Sequence, residues 1–110
     1  MDAELIFEIR FSIVLKSGEI LVVFMDLYKI PRVNTKDFPG GHRFSWIAFD
    51  PEAPERRVLF DSHPPKGPHI HIDDELEGKP FEWVSVDQAK RLFFKCVKEH
   101  FGKFAEDIDI

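Results

Sequence analysis

Between Leu5 and Leu15 an apolar side chain stands at every second position: Leu5, Phe7, Ile9, Phe11, Ile13 and Leu15. Glu4, Glu8, Arg10 and Ser12 fall between them. In a helix these residues would be scattered around the whole circumference. In an extended chain they share one face, with the polar residues on the other. The stretch "KSGE" follows, and Gly18 can adopt the positive φ that a tight connection requires. Glu19 to Ile30 then forms a second strand of the same hairpin. Leu21 and Val23 alternate in its first half with Ile20, Val22 and Phe24, so both faces are apolar and an inner position in the sheet is expected.

The hairpin commits the rest of the chain to covering it. "PRVNTKDFPGG" has the proline, glycine, Asn34 and Asp37 content of a loop. "HRFSWIAFD" reads as a third strand with Phe44, Trp46 and Ala48 on one face. "PEAPER" turns the chain into "RVLFD", a fourth strand, and "HIHID" is a short fifth one. "DDELEGKPFEW" is a polar connection with a short extended piece at Phe81 to Trp83. Strands this close in sequence pair antiparallel. The last element is a helix with Ser85 as N-cap, Gln88 three residues on, and Val84 and Ala89 placed to staple its first turn. Ala89, Leu92, Phe93, Cys96, Val97, Phe101 and Phe104 recur at three- and four-residue spacing along one stripe. Gly102 marks its end, and the tail "EDIDI" is expected to fray. The expected architecture is α+β: a curved antiparallel sheet of about five strands with one C-terminal amphipathic helix packed on it.

At 110 residues, 44% hydrophobic and 32% charged, the chain fits a single globular domain spanning residues 1–110. Twelve phenylalanines suggest a core of large rings, or apolar surface kept for a partner. A net charge of −5 argues against broad, non-specific nucleic-acid binding, though not against a local basic cleft. The single cysteine, Cys96, has no intramolecular disulfide partner, so a reducing cytoplasm is expected. Cys96 lies on the apolar helix stripe and reads as a core residue rather than a nucleophile. "MDAELIFEIR" lacks the character of a signal peptide, and no apolar run approaches the ~20 residues of a membrane span.

The stretch with the densest potential chemistry is "HPPKGPHIHIDD", where His63, His69 and His71 fall close together. His69 and His71 are two apart, so in a strand both project from one face, toward a cleft or solvent, while Ile70 and Ile72 anchor the other face in the core. Lys66 sits just before them on a loop shaped by Pro65, Gly67 and Pro68. Three readings stand side by side. A pair of imidazoles with a cation suits metal-independent RNA cleavage: one ring takes the 2′-hydroxyl proton and the other protonates the leaving 5′-oxygen. Lys66, supported by Arg43 or Arg57 from neighbouring strands, would stabilise the phosphorane charge. The same residues also suit a metal site made of His63, His69, His71 and Asp73, although an H-x-H pair is a weak signal by itself. The third reading is a polar outer face on a stiffened turn. His100 and His42 read as packing and strand-start residues, and Glu75 and Glu77 as a solvated loop.

Several segments, in this order, resemble the TumE-like toxin family of prokaryotic toxin–antitoxin systems. They are "YKIPRV", "HRFSWIAF", "LFDSH", "KGPHIHID" and "KPFEWVSVDQAKRLF", and the likeness runs from about Ala3 to Phe101. Lys66, Gly67, His69 and His71 match the family's "KG-x-H-x-H" element, and Pro68 stands where the family commonly has an acidic residue. The resemblance implies a small toxin neutralised by a helix-turn-helix antitoxin, with RNA as its target and no cofactor. The competing class is a non-enzymatic module whose Phe-rich sheet or helix binds a partner protein or a second copy as a homodimer.

Overall fold

In the computed structural model, which describes residues 3–31, 41–63 and 67–106, six strands form one antiparallel sheet in chain order. They are β1 (Glu4–Val14), β2 (Ile20–Lys29), β3 (His42–Asp50), β4 (Ala53–Asp61), β5 (His69–Ile72) and β6 (Lys79–Pro80). A single helix, α1 (Val86–Phe101), follows. This is the expected α+β arrangement, with one strand more than the expected five. The extra strand is β6, which pairs His69 with Pro80 and Ile70 with Lys79. It lies just before the extended piece expected at Phe81 to Trp83. A proline fits there because β6 is an edge strand that can spare an N–H.

The alternation seen in the sequence sets the register. On the helix side, Trp46 lies opposite Met25 and Phe60, and Phe60 lies opposite Ile70. Trp46 is the hub of this layer and is fully buried. Its ring centroid lies 5.1 Å from that of Phe44 and 5.9 Å from that of Phe93 of α1, the latter edge-on. Its indole N–H donates to the carbonyl of Asp26 at 2.6 Å, so the polar end of the side chain is satisfied as the rings bury. The phenylalanine-rich composition thus builds a core of interlocked rings around one tryptophan.

The helix starts where Ser85 predicts, its hydroxyl accepting the Gln88 N–H at 3.1 Å. It ends at Gly102, whose φ of 117° and N–H donated to the Lys98 carbonyl close the last turn. Ala89, Phe93, Phe94, Val97 and Phe101 are its buried residues. Phe94, outside the expected stripe, packs on Phe11. Val84 is 61% exposed, against the staple expected with Ala89. Beyond the helix the chain returns to the sheet. Lys16 donates its N–H to Lys103, Ala105 donates to Val14, and Phe104 forms a bridge with Leu15. The chain is therefore tied to the sheet as far as Ala105, and of the tail expected to fray, residues 106–110, all but Glu106 lie outside the described set.

Two segments differ in extent from the sequence expectation. The turn between β3 and β4 is confined to Pro51 and Glu52, so "APER" belongs to β4. β2 is an inner strand as expected, but among the described residues no layer covers its second apolar face, and Phe24 there is 39% exposed. No helix among the described residues is long and apolar enough to cross a membrane.

Candidate functional site

The candidate residues gather on the sheet face away from the helix. Each strand contributes alternate residues to it, and the register aligns them in rows. Asp26, Ser45, Asp61 and His69 are successive partners across β2 to β5, and Phe24, Ile47, Leu59 and His71 form the next row. The parity argument from the sequence holds: His69 and His71 share this face, and Ile70 and Ile72 pack against the core on the other. Their ring centroids are 4.7 Å apart and nearly perpendicular.

The surroundings of the pair depart from expectation. His69 does not stand open to a cleft: it is 4% exposed. β6 pairs along β5, and Gly78 lies against both rings. A Cβ at Gly78 would sit 2.6 Å from His69 Cδ2 and 3.0 Å from His71 Nε2. The side chain missing from Gly78 is what admits the two imidazoles.

Each ring is held by a carbonyl. His69 Nδ1 lies 2.6 Å from the Gly67 oxygen, and His71 Nδ1 lies 3.0 Å from the Glu75 oxygen. A carbonyl accepts and never donates, so both Nδ1 atoms carry hydrogen, and in the neutral rings the lone pair resides on Nε2. Gly67 reaches the position of its carbonyl with φ of 69°, a backbone region that favours glycine.

Both candidate arginines lie on this face of the sheet, on different strands. Arg43 on β3 stacks over Tyr28 at 4.6 Å. It lines a shallow pocket of about 250 Å³ with Asp26, Ser45, Asp61 and His63. His63 is exposed and anchors through its backbone N–H to Asp61 at 2.9 Å. Arg57 on β4 donates through Nε to the Asp73 carbonyl at 3.1 Å, just past the end of β5. Lys66 lies outside the described residues, with Pro64 and Pro65.

Asp73 leaves the strand with φ of 56°, a conformation that aspartate tolerates better than most residues. Its carboxylate accepts the Arg57 N–H at 3.1 Å and His100 Nε2 at 2.7 Å. Burial pushes the Asp73 carboxyl up, but the hydrogen bonds from His100 and Arg57 and the nearby charges of His100 and Arg56 outweigh it and hold it below the usual carboxylate value. Asp73 is thus committed to a clamp between sheet and helix. Among the described residues, no group of three or more His, Cys, Asp or Glu side chains is arranged to hold a metal ion, His63, His69, His71 and Asp73 included.

Sequence reasoning missed three participants. Asp61, opposite His69 across the ladder, was visible only as the last residue of a strand. Gly78 sat in a stretch read as polar connection. His100 reads as packing in the sequence, yet its spacing of seven from Phe93 places it one helical repeat along the buried stripe, which brings it to Asp73 just past the end of β5. Cys96 keeps its reading: burial, with help from Glu99, pushes its thiol up, away from a reactive thiolate.

The chain matches no protein-family model, no curated protein and no solved structure. The likeness to the TumE-like toxins rests on its motifs alone.

Proposed function

We propose that this protein is a metal-independent ribonuclease of the TumE-like toxin class, acting in a prokaryotic cytoplasm and neutralised by a helix-turn-helix antitoxin. The observation that carries the reading is the oriented pair of imidazoles, each with Nδ1–H fixed to a carbonyl so that the lone pair of the neutral ring is on Nε2; the reading requires that RNA binding displace the Gly78 segment that covers His69. One Nε2 removes the 2′-hydroxyl proton as the 2′-oxygen attacks phosphorus. The other, protonated, delivers its proton to the 5′-oxygen as that P–O bond breaks. The products are a 2′,3′-cyclic phosphate and a 5′-hydroxyl end, and the two rings have exchanged protonation states. Arg57, beside the end of β5, and Lys66 supply positive charge for the phosphorane. Asp61 and Arg43 border the same face, where a strand of RNA would approach.

Purified protein incubated with RNA tests this directly. Cleavage with cyclic-phosphate ends is expected, with a bell-shaped pH dependence. His69→Ala and His71→Ala should each lower the rate by roughly 10²–10⁴ and relieve growth arrest on expression. Wild-type protein that leaves RNA intact and growth unaffected would overturn the reading. Histidines that donate Nδ1–H to carbonyls are also the usual pattern for metal ligands. A chelator that abolishes cleavage would favour that second reading.

A further inference from the structure

We propose that the protein forms a two-fold symmetric homodimer through antiparallel pairing of β1 with β1 of a second copy, in the register that sets Glu8 against the partner's Arg10.

β1 is an edge of the sheet and is eleven residues long. At its C-terminal end the Val14 carbonyl and the Lys16 N–H point away from β2, since they bond to Ala105 and Lys103. The strand's period of two then directs the N–H and carbonyl groups of Ser12, Arg10 and Glu8 the same way. Among the described residues these outward groups meet no strand. Long exposed edges of this kind are ordinarily blunted, because they template pairing with another chain. Here the bulge between Leu5 and Phe7 shortens the edge without removing it. The strand instead exposes apolar side chains, Leu5 at 51%, Ile6 at 48% and Ile9 at 37%.

Charge selects the partner and the register. On the face away from the helix, Glu8 stands opposite Asp26 within its own sheet, and the two acids repel. Arg10 stands over the Phe24 ring at 4.9 Å. Only residues whose backbone groups point outward can form the hydrogen-bonded pairs of the new ladder. If the two-fold axis passes between the two Ile9 residues, Glu8 meets the second copy's Arg10 and Arg10 meets its Glu8. Each such pair exchanges two backbone hydrogen bonds. Shifting the axis toward Glu8 opposes two glutamates, and shifting it toward Arg10 opposes two arginines. Like charges directly opposite destabilise a ladder. The favoured register also brings Ile9 against Ile9 and Phe7 against Phe11 on the helix side, covering the half-exposed part of the strand. A strand that is complementary to itself in this way fits a second copy of the chain rather than an unrelated protein.

The test is sedimentation of the full chain over a low to high micromolar range. Wild type should be dimeric. Glu8→Arg should weaken the dimer about tenfold or more, because two attractive cross-strand pairs become repulsive. Combining Glu8→Arg with Arg10→Glu should restore wild-type association, since the pair is exchanged rather than removed. As a check independent of charge, Ile9→Cys in a Cys96→Ala background should oxidise to a covalent dimer, because non-hydrogen-bonded antiparallel partners stand about 4.5 Å apart at Cα. Ser12→Cys in that background should not. A monomeric wild type overturns the proposal. So does a dimer indifferent to Glu8→Arg, or one dissociated by Phe49→Glu alone, a position on β3 away from Arg10, which would place the interface on the sheet face.

Discussion

Replacing Gly78 with alanine puts the packing of the histidine pair to a quantitative test. Gly78 does not have a positive φ that would strain an L-residue, so the substitution would ordinarily stabilise by ~0.4–1 kcal/mol through the unfolded chain. The new Cβ, however, would lie 2.6 Å from His69 Cδ2, closer than carbon atoms can approach, and 3.0 Å from His71 Nε2. Neither ring is the free end of a flexible side chain. His69 is buried and tethered to Gly67 at 2.6 Å, and His71 is tethered to Glu75. Overpacking of this kind costs ~1–3 kcal/mol. The balance is a net loss of up to about 2.6 kcal/mol, with a middle value of about 1.3 kcal/mol, or on the order of 5–10 °C in Tm for a domain of this size. Urea titration measures it. In a double-mutant cycle, His71→Ala should recover part of the loss, because the clash at its Nε2 disappears. If Gly78→Ala is as stable as wild type or more so, the rings do not lie against Gly78, and the account of why the pair is oriented fails.

Two carboxylates give opposite pH signatures. Asp73 is held below its ordinary range, so its clamp stabilises the fold at pH values above that range and weakens as pH falls through the folded value. The stability advantage of wild type over Asp73→Asn should accordingly be largest near neutrality and vanish in acid, as followed by thermal melts across pH. Asp26 behaves the other way. Burial raises its carboxyl despite the Ser45 N–H at 2.7 Å and the charge of Arg43, so its ionised form costs stability above the folded value. Asp26→Asn keeps an acceptor for Ser45 and removes the charge. It should match or exceed wild type at neutral pH and lose that advantage as pH drops; a clear destabilisation at neutral pH would refute the assignment.

Local order was legible in the residues themselves. The alternation from Leu5 to Leu15, the Ser85 cap, the Gly102 stop and the same-face placement of His69 and His71 all depend on backbone period and on groups a few residues apart. The N-cap bond joins Ser85 to Gln88, three residues on, and a strand's parity needs no partner to be read. The number of strands was harder, because β6 has two residues and no alternation to detect. Phe94 was missed because the buried band of α1 is wider than the single stripe at three- and four-residue spacing, and Phe94 packs on Phe11 of β1 beside it.

What the sequence by itself determined was which residues share a face; what lies over each face was decided by the tertiary structure. His69 and His71 had to project together, but their enclosure came from Gly78, brought back over β5 by the pairing of β6. Asp73 and His100, twenty-seven residues apart, meet because the C-terminal part of α1 packs beside the end of β5. Such contacts depend on loop closure and on the docking angle of α1, neither of which leaves a periodic trace in the chain. Parity is a property of one strand, whereas burial is a property of everything packed against it.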